Sequence, residues 1–222
     1  MISPVLSNLF MHYVLDSWLE VNYPNVKWCR YSDDGILHCR TGKEVNQMLK
    51  IIAERFEGCG LKMHSKKSKI VYCKDEIRKK DYPDTEFEFL GYGFRRRRAR
   101  NHKQGRNFSG FNPAISKSSK SSVYAEIRSW KLIRRTSSKL EDIADDINPI
   151  LRGWLEYYGK YYITELYPIF SHINRLLVKW LMRKCIKFRK HRVRECKAIA
   201  KVAETNPDMF IHCNIGVKGV VA

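Results

Sequence analysis

The chain has 222 residues, which is enough for one large domain or two small ones, each with its own hydrophobic core. Its 42 lysines and arginines against 23 acids give a formal net charge of +19, so the expected partner is a polyanion, with nucleic acid ahead of an anionic membrane surface. The composition argues against a disulfide scaffold, a zinc finger or a membrane-spanning protein, because the seven cysteines form no Cys-x-x-Cys pair and no apolar stretch approaches ~20 residues.

A helix is predicted at the start of the chain, where Pro4 follows Ser3. One broad apolar face then repeats at helical spacing, formed by Val5, Leu6, Leu9, Phe10, Tyr13, Val14, Trp18 and Leu19. The segment lacks the basic region and apolar core of a secretion signal, so we expect the protein to stay in the cytoplasm. A helix that is ready to pack at once also suggests that the chain starts in the middle of a fold.

The next feature is a predicted β-hairpin that carries two neighbouring carboxylates. Two short apolar runs, residues 26–29 and 36–39, flank Tyr31-Ser32-Asp33-Asp34 at its tip. Adjacent carboxylates repel each other, and a site for divalent cations gives a reason to keep them together. An ordinary turn is the alternative, because Asp and Gly are favoured at hairpin tips.

A second helix is predicted after the hairpin, with Thr41 and Glu44 as a capping box and an end at Gly58 or Gly60. Residues 68–72 and 87–94 are predicted as strands, separated by a charged loop that contains proline. The first half of the chain therefore mixes helices with mostly antiparallel strands.

The second half is predicted to be helical. Residues 116–122 have the composition of a linker, rich in serine and lysine. Apolar residues at helical spacing then predict separate helices, marked by Val123 to Trp130, Leu140 to Ile147 with a stop near Pro149, Ile150 to Tyr162, and Ile169 to Ile186. We place a domain boundary near residues 108–115.

Basic residues are concentrated in two stretches. Residues 95–106 hold seven lysines or arginines and no acid, and residues 179–201 hold ten with a single acid, Glu195. Such concentrated charge releases counterions from a phosphate backbone, which predicts salt-sensitive binding to nucleic acid. A solvated basic face that serves solubility is the alternative.

Five motifs occur along the chain in a fixed order. They are Ile2-Ser3-Pro4-Val5-Leu6-Ser7-Asn8, Arg30-Tyr31-Ser32-Asp33-Asp34, the stretch from Gly60-Leu61-Lys62-Met63 to Lys67-Ser68-Lys69-Ile70, Phe89-Leu90-Gly91-Tyr92-Gly93-Phe94, and Arg152-Gly153-Trp154-Leu155-Glu156-Tyr157-Tyr158. Their order and spacing resemble those of group II intron reverse transcriptases, and the last motif resembles the helical thumb called domain X or the maturase domain. The resemblance covers the chain essentially from end to end.

The resemblance implies an α+β fold in two parts. Residues 1–110 would form a partial reverse-transcriptase palm with antiparallel strands and packed helices, and residues 111–222 an all-helical thumb or maturase domain. The family normally has Tyr-Ala-Asp-Asp, and Ser32 replaces the alanine here. The family's fingers and a further catalytic carboxylate would precede Met1, and neither His12 nor Asp16 stands in a pattern that replaces that carboxylate. We therefore expect that this polypeptide alone does not polymerise DNA.

The resemblance also implies roles for individual residues. Asp33 and Asp34 would hold Mg²⁺, or Mn²⁺, at a centre that takes deoxynucleoside triphosphates, and Lys67 would approach the incoming phosphates as a catalytic residue. Asp33 is the better metal ligand of the two, because neighbours on a strand point to opposite faces. Nucleic acid would be contacted by Tyr31, Phe89, Leu90, Gly91, Tyr92, Arg95, Arg96, Arg97, Arg98, Arg152, Lys184 and Arg189.

Three functional classes stay open at this point. The first is the carboxy-terminal half of an RNA-directed DNA polymerase that needs an upstream half, with intron RNA and an RNA template with a DNA primer as partners. The second is an RNA-binding maturase that assists splicing without polymerisation. The third is a decayed remnant.

An open palm edge and an uncovered apolar face predict a homodimer or an upstream fragment as a protein partner, and no membrane partner is expected. The end of the chain resembles family members without an appended endonuclease.

Overall fold

A computed structural model describes residues 3–101, 105–185, 201, 205–206 and 208–213. The chain forms two compact units. The first comprises the residues up to Tyr72 together with Tyr82–Asp84, and the second comprises Cys73–Asp81 and the chain from Thr85 onward. Both contain helices and antiparallel strands, so the α+β class is confirmed.

The first unit opens with the predicted helix, which has three parts. Helix α1 (Ser3–Met11) continues through one π-helical segment (His12–Asp16) into α2 (Ser17–Asn22). Such π segments widen the helix locally and are frequent at functional sites. Helix α3 (Gly42–Gly58) has the predicted capping box between Thr41 and Glu44, and it ends with Gly60 at a φ of 73°.

The predicted hairpin lies between these helices. Strands β1 (Lys27–Tyr31) and β2 (Asp34–His38) pair in an antiparallel sheet of two strands. A small core of Leu15, Leu19, Met48 and Ile52 joins the helices, and Trp28 and Leu37 of the hairpin pack against it. A hairpin of two strands is marginal alone, so this packing is what holds it.

Much of the predicted apolar face of the first helix is exposed. Leu19 is fully buried, whereas five large side chains toward the amino-terminal end are between 47% and 68% exposed, namely Val5, Leu6, Leu9, Phe10 and Tyr13. These five side chains therefore leave much of the predicted apolar face in contact with water.

One strand prediction in the first unit is wrong. Residues 68–72 are irregular, although their composition favours a strand. Two backbone hydrogen bonds are formed there: the Ser68 N–H donates to the His64 carbonyl at 2.9 Å within a turn, and the Tyr72 N–H donates to the Asp84 carbonyl at 2.9 Å. A strand needs a ladder of bonds with a neighbouring strand, and the Tyr72 bond alone does not make a ladder.

The second unit contains a three-stranded antiparallel sheet in the order β3-β4-β5. Strand β3 (Phe87–Phe89) pairs with β4 (Tyr92–Asn101), and β4 pairs along its length with β5 (Arg106–Ile115). The single strand predicted at residues 87–94 is therefore two strands joined by a turn at Leu90 and Gly91. The sequence did not predict the long β4–β5 hairpin, because arginine runs carry no alternation of polar and apolar residues. The predicted boundary at 110/111 lies within β5, and the assignment of palm and thumb modules to its two sides stays a prediction.

Three long helices complete the second unit: α4 (Lys117–Ser129), α5 (Leu140–Tyr162) and α6 (Tyr167–Lys184). The predicted linker at 116–122 is wrong, since Ser116 caps α4 by accepting the Ser119 N–H at 3.0 Å. The predicted stop near Pro149 is also wrong, because α5 runs through it. Ile147 and Leu151 stay buried on either side, and this packing offsets a proline cost of about 3 kcal/mol.

The core of the second unit is extensive and includes one buried histidine. It gathers Ile127, Ile143, Leu151 and Phe170 with the segment around Phe210. His212 is fully buried, and its Nε2 lies 2.6 Å from Asn174 Oδ1. Burial lowers the pKa of His212 to about 4.

None of the helices within the described ranges has both the length and the apolar character that a bilayer span requires.

His212 makes stability depend on pH. Its pKa is 6.5 when exposed and about 4 in the fold, so the unfolded chain binds more protons between these values. We expect His212 to lower the free energy of unfolding by roughly 3 kcal/mol as pH falls from 6.5 to 4. The measurement is urea unfolding across this range for the wild type and for His212→Gln, whose amide does not titrate. Parallel pH curves for the two proteins would contradict the expectation.

Candidate functional site

The paired carboxylates lie at the tip of the β1–β2 hairpin. Tyr31 pairs with Asp34, which leaves Ser32 and Asp33 as a two-residue turn. Ser32 has a φ of 55°, in the left-handed region that two-residue hairpin turns require. All four of these residues are exposed. The turn thus presents both carboxylates to solvent.

An ion pair beneath the turn fixes its position. Arg30 makes a bidentate pair with Asp16, with Nε–Oδ1 at 2.8 Å and Nη2–Oδ2 at 2.5 Å. Its Nη1 also donates to the Ser32 carbonyl at 2.6 Å and to Asn8 Oδ1 at 3.0 Å. The hydrogen bond to Asp16 raises the pKa of Arg30. A single guanidinium therefore connects the turn to the first helix and to its π-helical segment.

The role of Asp16 was not predicted. Its carboxylate is committed to Arg30, and His12 Nδ1 lies 3.6 Å from the same group. A sequence signal did exist: Asp16 is an acid next to the buried Val14 and Leu15, and an acid in an apolar environment needs a cationic partner. Sequence alone gave no means of choosing Arg30 as that partner.

The donor set at the tip fits a hard divalent cation. Within the described residues, neither the Asp33 nor the Asp34 side chain has a hydrogen bond or an ion pair, so both carboxylates can act as ligands. Carboxylate oxygens are the donors that Mg²⁺ prefers. Across the described ranges, no group of three or more His, Cys, Asp or Glu side chains is arranged to hold a metal.

Lys67, the predicted catalytic lysine, lies in the irregular segment after α3. Its side chain is exposed, and its backbone N–H donates to the His64 carbonyl at 3.0 Å in a turn. None of the contacts among the described residues joins its ammonium group to Asp33 or Asp34. Its role in catalysis stays a prediction.

In the second unit, the turn between β3 and β4 is held against α5. Leu90 and Gly91 both have positive φ, 49° and 74°. The Leu90 carbonyl accepts the hydroxyl of Tyr157 at 2.8 Å, and the hydroxyl of Tyr92 donates back to the Tyr157 carbonyl. The Gly91 carbonyl accepts from the backbone N–H of Ser116 at 3.0 Å. The predicted nucleic-acid contacts at Phe89–Tyr92 thus belong to a firmly anchored turn.

The predicted run of arginines in β4 is divided between two faces. Arg96 and Arg98 are exposed, whereas Arg97 is buried and donates to Glu165 Oε1 at 2.8 Å. Burial, followed by the charge of Arg95, lowers the pKa of Arg97. Arg97 therefore holds the fold together, and we do not retain it among the nucleic-acid contacts.

The other residues predicted to contact nucleic acid, Arg152, Lys184 and Arg189, also differ in how their side chains are placed. Arg152 is exposed on α5. Lys184 is partly buried, donates to the Ser138 carbonyl and lies 5.1 Å from the Trp180 ring centre. Arg189 lies outside the described residues, as does most of the basic stretch at 179–201.

Paired carboxylates on a hairpin, followed by a basic unit of sheet and helices, define a protein of the nucleic-acid-handling class. The model of the reverse transcriptase (RNA-dependent DNA polymerase) family matches residues 1–94, and that of the group II intron maturase-specific domain matches residues 120–197. Together these matches span well over half of the chain, which belongs to the group II intron reverse transcriptases and maturases. No curated protein matched the chain in a sequence comparison. Reverse transcriptases use divalent metal ions and deoxynucleoside triphosphates.

We expect Arg30→Lys to destabilise the first unit by about 1–3 kcal/mol, because lysine cannot make the bidentate pair with Asp16 and still reach the turn. Urea unfolding followed by far-ultraviolet circular dichroism measures this change. Lys27→Gln, at an exposed position of the same strand, is the matched control and should change stability by less than about 0.5 kcal/mol. Equal values for both variants would contradict a clamping role for Arg30.

We expect Gly91→Ala to destabilise the second unit by about 1–2 kcal/mol. Alanine strains the backbone at a φ of 74°, and its Cβ would lie 3.0 Å from Ser119 Oγ and 3.2 Å from the Tyr158 hydroxyl. Gly153→Ala is the control, because Gly153 lies within α5 with open space around it, so alanine there should be neutral or stabilising. Thermal unfolding of both variants tests this expectation, and an unchanged unfolding midpoint for Gly91→Ala would contradict it.

Proposed function

We propose that the chain binds RNA through its basic second unit and contributes the Asp33–Asp34 turn to a magnesium-dependent centre for RNA-directed DNA synthesis. We propose further that the centre takes at least one more carboxylate from a reverse-transcriptase segment outside the described residues. The observation that carries this proposal is the pair of exposed carboxylates, which lack internal partners, on a turn held by Arg30.

The residues of the turn have separable tasks in this proposal. Asp33 and Asp34 hold Mg²⁺ or Mn²⁺, and Arg30 with Asp16 keeps their backbone in place. A bound divalent ion supplies activation of the attacking hydroxyl and neutralisation of phosphate charge. Tyr31, exposed beside the pair, offers a flat surface to the nucleic acid, and Lys67 supplies a positive charge for the incoming triphosphate.

RNA binding without polymerisation is the second candidate. It is favoured by the exposed arginines of β4, which lie on a different compact unit from the carboxylates and need no metal to attract phosphate. A maturase that holds structured intron RNA would use this surface alone.

We also propose a protein partner for the exposed face formed by α1 and the start of the π-helical segment. Five large apolar side chains are presented there, and a second copy of the chain or an upstream reverse-transcriptase segment would remove them from water.

The decisive experiment is primer extension on an RNA template with Mg²⁺. We expect no extension by the chain alone, and extension when the fingers and upstream palm of a group II intron reverse transcriptase are added. Asp33→Asn should abolish the restored activity by at least about 10³-fold, because an amide cannot replace a charged metal ligand. Lys43→Gln, at an exposed position on α3, is the control.

The same proteins separate the two candidates. If the upstream segment restores extension and Asp33→Asn removes it, the polymerase is supported. If no extension is restored, and RNA binding is salt-sensitive and survives Asp33→Asn, the binding protein is supported. Robust extension by the chain alone would contradict the need for a further carboxylate, and failure to bind any RNA would contradict both candidates.

A further inference from the structure

The β4–β5 hairpin sorts its arginines by strand alternation. Side chains two residues apart share a face of a strand, so Arg96, Arg98 and Arg100 lie on one face and Arg95 and Arg97 on the other. The first three are exposed. A run of basic residues that is continuous in sequence is therefore two different groups in the structure.

The inner group is anchored by one carboxylate. Glu165 accepts hydrogen bonds from Arg97 at 2.8 Å and from Lys120 of α4, and Arg95 lies 3.8 Å away. Burial raises the pKa of Glu165, but the hydrogen bond from Lys120 and the surrounding positive charges outweigh it, so its pKa is lowered overall. The hydroxyl of Tyr162 also donates to the Arg98 carbonyl. These contacts hold β4 rigidly from its inner side.

The outer group has no such anchor. Within the described residues, Arg96, Arg98 and Arg100 have no carboxylate partner, and the one polar contact of their side chains joins Arg96 Nη2 to Ser109 Oγ at 3.4 Å. At the far end of the hairpin, the acid Glu76 is paired with Arg106 at 3.1 Å. Residues two apart on a strand lie about 6.8 Å from each other along the backbone, so the three arginines start from evenly spaced positions on one face.

Aromatic side chains continue this face of the sheet. Phe111 is directly opposite Arg96, and its ring lies 6.0 Å from that of Phe87. Phe87 in turn stacks on Phe94 at 4.7 Å. All three rings are partly exposed. A row of cations next to partly exposed rings is the combination with which proteins hold single-stranded nucleic acid, because phosphates pair with the cations and unpaired bases stack on the rings.

We infer that the outward face of the β4–β5 hairpin is a track for a single-stranded segment of RNA, with Arg96, Arg98 and Arg100 on the phosphates and Phe111 beside a base. This inference deepens the proposed RNA binding and rests on it. A duplex is a poorer ligand for this face, because its bases are stacked on each other and cannot reach the rings.

The test measures binding of a labelled oligouridylate and of an RNA duplex of the same length by fluorescence anisotropy. For the triple variant Arg96→Gln, Arg98→Gln, Arg100→Gln we expect affinity for the single strand to fall at least about tenfold at low salt. The slope of log affinity against log salt should fall by about 2, since each lost phosphate contact on a single strand removes about 0.7. Affinity for the duplex should fall less.

Two controls separate the track from general charge. The triple variant Arg40→Gln, Lys43→Gln, Lys50→Gln removes the same charge from exposed positions of the first unit and should leave single-strand binding within about twofold. Arg95→Gln should affect single-strand binding less than Arg96→Gln, because its side chain belongs to the inner group. Circular dichroism confirms that each variant is folded.

The outcomes distinguish this inference from the proposed function. If the wild type binds RNA but the two triple variants weaken it equally, or if duplex affinity falls as much as single-strand affinity, the track is wrong and the proposed RNA binding stands. If the wild type binds neither RNA, the proposed RNA binding itself is wrong.

Discussion

A guanidinium that leaves water must find a carboxylate, and this constraint sets the position of both hairpins that carry candidate functional groups. In the first unit, Arg30 meets Asp16 and the carbonyl of Ser32. In the second unit, Arg97 meets Glu165. Each pair has an exposed candidate surface immediately beside it: the Asp33–Asp34 turn in one case and the outward arginines of β4 in the other. The paired charges fix the backbone, and the exposed neighbours are the groups for which we propose binding.

The tyrosines of α5 also hold a turn in place, but they do so through hydroxyl hydrogen bonds and ring contacts. The Tyr157 hydroxyl donates to the Leu90 carbonyl, the Tyr92 hydroxyl donates to the Tyr157 carbonyl, and the two rings lie 5.3 Å apart. A tyrosine has few rotatable bonds, so fixing it costs little conformational entropy while its hydroxyl satisfies a carbonyl that would otherwise be unpaired. Tyr92 and Tyr157 thus support the turn structurally.

Local signals in the sequence predicted most of the elements that depend on local contacts. The capping box at Thr41 and the hairpin around Asp33 each need residues close together in the chain, and each was found. The errors have two different causes. Pro149 was predicted to end a helix that tertiary packing continues, and such packing depends on the rest of the fold, which no local window contains. Ser116 was assigned to a linker although it caps α4 through the nearby Ser119 N–H, so this local signal was missed.

The prediction of the site residues was limited in the same way, because their contacts join parts of the chain that are distant in sequence. Asp33 and Asp34 were predicted from their composition and position, but their support by Asp16 depends on a contact between residues 14 apart. The arginines of β4 were predicted as one group because charge alone does not report which face of a strand a residue occupies. Only the pairing of Arg97 with Gly110 and of Arg96 with Phe111 establishes the β4–β5 register, and therefore which arginines are outward.

The two candidate activities rest on separate physical requirements and on separate compact units. Metal chemistry needs the carboxylates of the first unit and at least one further ligand, because a two-metal centre requires more negative charge than Asp33 and Asp34 supply. Attachment to RNA needs only positive charge and flat surfaces, which β4 and β5 provide without a metal. Since Arg97 and Glu165 hold β4 within the second unit, the arrangement of its outward arginines does not depend on the state of the Asp33–Asp34 turn. RNA binding can therefore persist where polymerisation does not, and an assay of one activity gives no measure of the other.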